Sequence, residues 1–181
     1  MKIKHFLIGA VIGFASMSSY ANADDYLQLR QQAEQGYSDA QFVLGLMYYD
    51  GEWIPQNYQQ AMFWYRKAAE QGHSDAQFNL GFMYYDGEWI PQNYQQAMFW
   101  YRKAAEQGHS NAQFNLGFMY GLGKGVPQNY QQAYAWFFVA FINGNSKAAS
   151  GIKIAAKQLT YQELAEASRL ANLYIEQYRS K

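Results

Sequence analysis

The chain contains no cysteine, which excludes both a disulfide framework and thiol chemistry. It also lacks an excess of charge, because 14 basic residues balance 14 acidic ones. A chain without net positive charge has no electrostatic basis for binding nucleic acid or an acidic membrane surface. What it has is apolar material: half of its residues are apolar and 19% are aromatic, so packing must stabilise the fold.

A long apolar run lies at the start of the chain. Residues 6–15 follow two lysines and precede Ala21-Asn22-Ala23. A bilayer span needs about 20 apolar residues, so this run is too short for one. A basic start, an apolar run and a small-residue cleavage site are typical of a secretory signal peptide. We therefore predict a signal peptide over residues 1–23, with an uncleaved membrane anchor as the alternative. We expect residues 24–181 to form a single domain without a membrane span, periplasmic or secreted in a Gram-negative bacterium.

The remaining sequence repeats itself every 36 residues. The stretch from Tyr48 to Ser74 returns unchanged from Tyr84 to Ser110. Such a period is typical of solenoid proteins, in which each unit buries its apolar face against its neighbours. The predicted segments are an N-terminal capping helix over 24–36, repeats over 37–72, 73–108 and 109–144, and C-terminal capping helices over 145–181.

Each repeat is predicted to form two antiparallel helices. The first begins at Ser38, Ser74 or Ser110, each followed three residues later by glutamine, which indicates a capping box. The second begins after an asparagine in the same relation to a glutamine, at Asn57, Asn93 or Asn129, and ends at a glycine, where a left-handed residue is expected. Thr160 and Glu163 are predicted to cap a last helix that ends near Tyr178. Nothing alternates with a period of two, so the fold class is all-α.

The repeated positions resemble the Sel-1-like repeat family, a relative of the tetratricopeptide repeat. In the first repeat they are Ala40, Leu44-Gly45, Tyr48, Gly51, Ala61, Trp64, Ala68-Ala69 and Gly72, and the other two repeats carry their equivalents. The resemblance implies a right-handed α-solenoid that organises other proteins without chemistry of its own. Two features depart from the family: Trp53 and Trp89 stand where a glycine is usual, and the cysteine pair of one exported branch is absent.

Candidate catalytic and metal-binding groups are few. His73-Ser74-Asp75 has the residue types of a hydrolase triad, but consecutive residues cannot adopt the geometry of one. We interpret Ser74 as a helix cap, and His73 and His109 as exposed turn residues. The acids Asp50 and Glu52 provide too few ligands for a cation. We predict no enzyme activity, no metal and no cofactor; the alternative is a hydrolase with a site in the concave groove.

A second apolar stripe on the first helices is the candidate binding site. Its residues are Phe42, Leu46, Tyr49, Phe78, Phe82, Tyr85, Phe114 and Phe118. If the first helices line the concave side, as the resemblance implies, this stripe suits an amphipathic helix or an extended peptide. The alternative is that it packs between neighbouring repeats.

Trp53 and Trp89 are further candidates for partner binding. They either cover the helix ends of their own repeat or form an exposed aromatic patch. We therefore predict a non-catalytic interaction scaffold or adaptor in the bacterial envelope, with a protein or peptide partner. A secreted effector or adhesin that binds host proteins remains an alternative.

Overall fold

The computed structural model describes residues 23–178. The predicted signal peptide, residues 1–23, lies outside this range except for Ala23, where the first helix begins. Within the described range all regular secondary structure is helical, and the chain divides into two compact units, residues 23–71 and 72–178. No helix in this range is both long enough and apolar enough to cross a bilayer.

The first unit consists of three helices: α1 (Ala23–Gln35), α2 (Ser38–Asp50) and α3 (Tyr58–Glu70). Helix α2 packs against both α1 and α3. The end of α2 contacts the start of α3, since the rings of Tyr49 and Tyr58 lie 5.5 Å apart, and Gly45 lies against Tyr65 further along α3. The two helices of this repeat are therefore antiparallel. The core of the unit comprises Leu29, Ala33, Ala40, Leu44, Met47 and Trp64.

The second unit contains two more helix pairs and two terminal helices. They are α4 (Ser74–Asp86), α5 (Tyr94–Glu106), α6 (Ser110–Leu122), α7 (Tyr130–Ile142), α8 (Ala148–Ala156) and α9 (Tyr161–Tyr178). Helix α4 packs against α5, and α6 packs against both α5 and α7. Both α8 and α9 pack against α7, the second helix of the third repeat. Helix α7 is therefore covered by more of the chain than α5, the second helix of the second repeat.

A glycine in the first helix of each repeat lets an aromatic ring of the second helix approach. A Cβ atom added at Gly45, Gly81 or Gly117 would lie 2.6, 2.7 or 2.7 Å from the ring of Tyr65, Tyr101 or Phe137, respectively. Gly151 of α8 meets the ring of Phe137 as well, also at 2.7 Å. The close helix–helix contact at these points therefore requires glycine, which has no side chain.

The asparagine caps of the second helices are confirmed. The Oδ1 atoms of Asn57, Asn93 and Asn129 accept hydrogen bonds from the backbone N–H three residues later, at 3.0, 3.0 and 2.9 Å. The glycines at the ends of repeats have the predicted positive φ, as in Gly72 at 96°. The box that begins α9 is also present, because Thr160 N–H donates to Glu163 at 2.8 Å and Glu163 N–H donates to the Thr160 hydroxyl at 3.3 Å.

The capping boxes predicted for the first helices are wrong. Each serine is the first helical residue, and the residue before it is the cap. In α4 and α6 that residue is a histidine, and Nδ1 of His73 and of His109 accepts the backbone N–H of Ala76 and of Ala112 at 3.3 and 3.2 Å. The glutamines are buried instead, and Gln41 and Gln113 donate to the Ala33 and Ala105 carbonyls of the preceding helix, each at 3.0 Å.

Candidate functional site

The first residue of each predicted stripe packs inside its own repeat. The rings of Phe42, Phe78 and Phe114 lie 6.0, 5.8 and 5.4 Å from Tyr65, Tyr101 and Phe137 on the second helices. Phe78 is only 7% exposed, and its ring also stacks on the His109 ring at 4.6 Å. Contrary to the expectation of a binding residue, Phe78 therefore has almost no surface that a partner could contact.

The middle of the stripe becomes exposed in the third repeat. Leu46 and Phe82 are half-buried, and Phe82 packs against the core of the second unit. Phe118 is 41% exposed, and Leu122, one turn further along α6, is 51% exposed. The neighbouring Leu116 and Met119 are fully buried. Helix α6 thus has separate buried and solvent-facing apolar stripes.

The tyrosines at the end of the stripe are held by intramolecular contacts. Tyr49 is half-buried against the rings of Tyr58 and Tyr65. The Lys124 ammonium donates to the Tyr85 hydroxyl at 3.1 Å and lies 4.8 and 5.0 Å from the ring centroids of Tyr85 and Tyr94. This hydrogen bond is the main reason that the pKa of Lys124 is raised. A cation between two rings stabilises them in place, so Tyr85 is less available than its position in the sequence suggests.

The two tryptophans in the turns differ in exposure. The side chain of Trp53 is half exposed, whereas Trp89 is partly buried. Gly125 occupies the equivalent position in the third repeat with φ at 76°, and a Cβ atom there would lie 2.8 Å from the Tyr94 carbonyl oxygen. In the third repeat this glycine is therefore required by the close approach of the turn to α5.

His109 is a largely covered residue that joins two repeats, not an exposed turn residue. Its Nε2 lies 3.1 Å from Asp75 Oδ1, and its side chain is 11% exposed. Because Nδ1 accepts from the backbone, we assign the proton to Nε2, which donates to Asp75. This bond from His109 is the main cause of the lowered pKa of Asp75.

Both nitrogens of His109 are thus engaged, because Nδ1 caps the start of α6 and Nε2 joins it to α4. A general base needs a free nitrogen within reach of the proton that it removes, and His109 has none. The described residues also contain no cluster of three or more histidine and acidic side chains that could bind a metal ion.

The predicted binding residues do not include the exposed aromatic residues of α3 and α5. Phe63 of α3 and Phe99 of α5 face solvent, each edge-to-face against the next residue, Trp64 or Trp100, at 5.0 and 4.9 Å. The signal was available, because these positions fall outside the buried stripe of the second helix. The predicted stripe lies on the first helices alone and therefore does not include these positions.

The last helix, α9, covers the corresponding face of α7. Trp136 is 1% exposed, and its ring lies 4.5 and 5.6 Å from the rings of Tyr174 and Tyr178. The side-chain amides of Gln113 and Asn143 both donate to the Tyr178 carbonyl, at 3.1 and 2.9 Å. These amides bond a carbonyl at the end of α9 and fix the helix on the repeat.

This arrangement of paired helices, with a glycine in the first helix and an aromatic ring in the second, defines a helical repeat protein. A family model described as Sel1 repeat matches residues 38–73, 74–109 and 110–145. The matches span more than half of the chain, which therefore belongs to the Sel1 repeat family. Proteins of this family are generally protein-interaction scaffolds, and typically not enzymes. No curated protein matches the chain in sequence.

Solved structures support the same conclusion. A protective antigen present in uropathogenic Escherichia coli strains, which displays an SLR fold, is 34% identical over 92% of this chain and 44% of its own, with a TM-score of 0.62. A Sel1 repeat protein from Oxalobacter formigenes is 36% identical over 77% of this chain and 52% of its own, with a TM-score of 0.65. This chain thus spans about half the length of these two proteins.

A more distant structure shows the fold alone. Cysteine rich protein B of Helicobacter pylori is 24% identical over 72% of this chain and 98% of its own, with a TM-score of 0.55. With these relatives and the consecutive packing of helices, the predicted all-α fold of solenoid-type helix pairs is confirmed.

Proposed function

We propose that the protein is a non-catalytic adaptor of the bacterial envelope, which binds a peptide or helix of a partner protein on the apolar stripe of its first helices. The observation that carries this proposal is the exposed pair Phe118 and Leu122 on α6, beside the fully buried Leu116 and Met119. Burying large apolar side chains at the centre of an interface supplies most of its binding energy. Residues spaced by one helical turn suit a partner that inserts its own side chains at a regular spacing.

Phe118 is the residue on which to test this proposal. Phe82 packs on the core and Tyr85 bonds to Lys124, so substitution of either would disturb the fold together with the stripe. Replacing Phe118 with a photo-crosslinking phenylalanine analogue in living cells should give a covalent adduct with one partner protein. The same analogue at Leu173, an exposed residue of α9, should give none.

Binding to the partner identified in this way is then measured with purified proteins. Phe118→Ser should weaken binding by about 2 kcal/mol, a typical value for a central aromatic contact. Leu173→Ser should leave the affinity unchanged, and both variants should keep the wild-type circular dichroism spectrum. Equal adducts at both positions, or an affinity that Phe118→Ser does not change, would contradict a site on this stripe.

The envelope location is a separate part of the proposal and rests on the signal-peptide pattern of residues 1–23. Mass spectrometry of the protein from its host should find a chain that starts near Asp24. Fractionation should place that chain in the periplasm for an adaptor, or in the medium for a secreted effector or adhesin. A full-length protein in the cytoplasm would contradict both.

A further inference from the structure

The solvent-facing side of α5 combines aromatic and cationic side chains. Phe99 is 49% exposed, and its ring meets Trp100 edge-to-face at an interplanar angle of 83°. The Lys103 ammonium lies 5.8 Å from the centroid of the Phe99 ring, at i+4 on the same helix. We call these three residues the α5 face. Helix α3 has the same residue types in Phe63, Trp64 and Lys67, with the ammonium 5.0 and 5.8 Å from the two rings, but Trp64 is buried in the core of its unit.

The equivalent face of α7 already binds a helix. Its residues are Ala135, Trp136 and Val139, and none is more than 1% exposed. Helix α9 packs on α7, and the buried residues of α9 are the small Ala167 and Ala171. In unit two, therefore, the outer side of a second helix is a surface on which another helix docks. The α5 face lies next to that interface, because α9 also contacts α5.

Charge indicates which kind of helix suits the α5 face. Helix α5 carries Arg102 and Lys103 against Glu106, a net charge of +1. The Arg102 guanidinium donates to the Tyr120 hydroxyl at 2.7 Å, so its position is fixed. The helix that the chain places on α7 has the opposite sign, with three glutamates and one arginine in α9, a net charge of −2. An approaching acidic helix would be attracted to the α5 face, and a basic one repelled.

We propose that the α5 face is a second interaction surface, which binds an acidic amphipathic helix of a partner protein. An apolar side chain of that helix lies on the rings of Phe99 and Trp100, while a carboxylate one turn away pairs with Lys103. Because α5 has the exposed Phe99 ring where α7 has Ala135, the partner helix binds through side chains. This surface goes beyond the proposed function, because it lies on a second helix and shares no residue with the stripe of the first helices.

The test uses two synthetic helical peptides that share one stripe of leucine and phenylalanine. One carries glutamate beside the stripe and the other carries lysine at the same positions. Fluorescence anisotropy with the full-length protein should show binding of the glutamate peptide, and at least about tenfold weaker binding of the lysine peptide. The difference should shrink as salt is added, because salt screens exposed charges.

Variants locate the peptide on the protein. Because α3 carries the same three residues, each substitution is made in both helices: Phe63→Ala with Phe99→Ala, or Lys67→Glu with Lys103→Glu. Each pair should weaken binding of the glutamate peptide about tenfold, since aromatic and cationic anchors dominate such contacts. The alanine pair places in α5 the residue that α7 has at the same position, Ala135, so the fold should be retained.

Four outcomes would overturn the proposal. Equal binding of the two peptides would contradict the role of charge. Binding of neither peptide would contradict the α5 face as an interaction surface. Loss of binding in Phe118→Ser rather than in the alanine pair would place the peptide on the first-helix stripe, and would support the proposed function alone. Tighter binding to Tyr178→Ala, which weakens the attachment of α9, would place the peptide on α7.

Discussion

The ring of Phe137 packs between two glycines. We therefore expect a glycine-to-alanine substitution there to lower the free energy of unfolding, although the same substitution inside a helix usually raises it. An added Cβ atom at Gly117 on α6 would lie 2.7 Å from Phe137 Cδ1. The ring cannot simply move away, because on α8 a Cβ atom built at Gly151 would already be 2.7 Å from the same carbon. We therefore predict that Gly117→Ala destabilises the protein although Gly117 lies inside a helix.

The magnitude follows from two opposing effects. Alanine in a helix interior is more stable than glycine by about 0.5–1 kcal/mol. Overpacking a well-filled core costs about 1–3 kcal/mol, and a ring that is confined on both sides places the cost in the upper half of that range. The expected net loss in the free energy of unfolding is about 1–2 kcal/mol. For a chain of this size, each kcal/mol corresponds to about 2–4 °C in Tm.

The assay is urea unfolding followed by circular dichroism, with Gly121→Ala as the matched control on the same helix. A Cβ atom at Gly121 would meet only the Cβ of Ala133, at an ordinary 3.7 Å. The control should be as stable as the wild type, or more stable by up to about 1 kcal/mol. In a Phe137→Leu background, Gly117→Ala should cost less, because the two changes share one contact. A Gly117→Ala variant as stable as the Gly121→Ala control would refute the close-packing argument.

Three further predictions concern the Asp75–His109 contact, the Asn93 helix cap and the attachment of α9 to α7. The hydrogen bond from His109 lowers the pKa of Asp75, so its stabilisation is complete above an unfolded-state pKa of about 3.9 and is lost as pH falls through the lower folded-state pKa. The gap in urea midpoint between wild type and Asp75→Asn should therefore close as pH falls below about 4, and no gap at pH 7 would contradict the pairing. Asn93→Ala should cost about 1 kcal/mol in urea unfolding, and Asn93→Ser, which keeps a capping oxygen, much less. Tyr178→Ala should shift tryptophan emission to longer wavelength by exposing Trp136, whereas Tyr161→Ala, at a 93% exposed residue, should not.

Local signals in the sequence predicted the helices well. The asparagine caps of the second helices and the Thr160–Glu163 box act over three residues, so their spacing is visible in the chain itself. The histidine caps were missed because the serine beside each of them is the more common capping residue. Here the serine is the first residue of the helix, and the imidazole of the preceding histidine accepts the capping hydrogen bond.

Contacts between repeats could not be predicted in the same way. His109 and Asp75 are 34 residues apart, and Lys124 and Tyr85 are 39 apart. Nothing in a single sequence indicates that such residues meet. The burial of Phe78 depends on the first of these contacts, since the ring that covers it belongs to His109. The extent to which the aromatic stripe is exposed is therefore a property of neighbouring repeats, not of the stripe.

The divergence of the third repeat is explained by what covers it. Compared with α5, helix α7 has Phe138 for Arg102 and Val139 for Lys103, and it carries no charge at all. A buried charge without a partner is costly, and α8 and α9 both pack on α7, so cationic side chains there would be desolvated. Helix α7, which α8 and α9 cover, therefore has neither the charged side chains of α5 nor an aromatic residue at the position of Phe99. Helix α5 has kept both, which is the pattern expected of a face that stays in water until a partner with the complementary charge covers it.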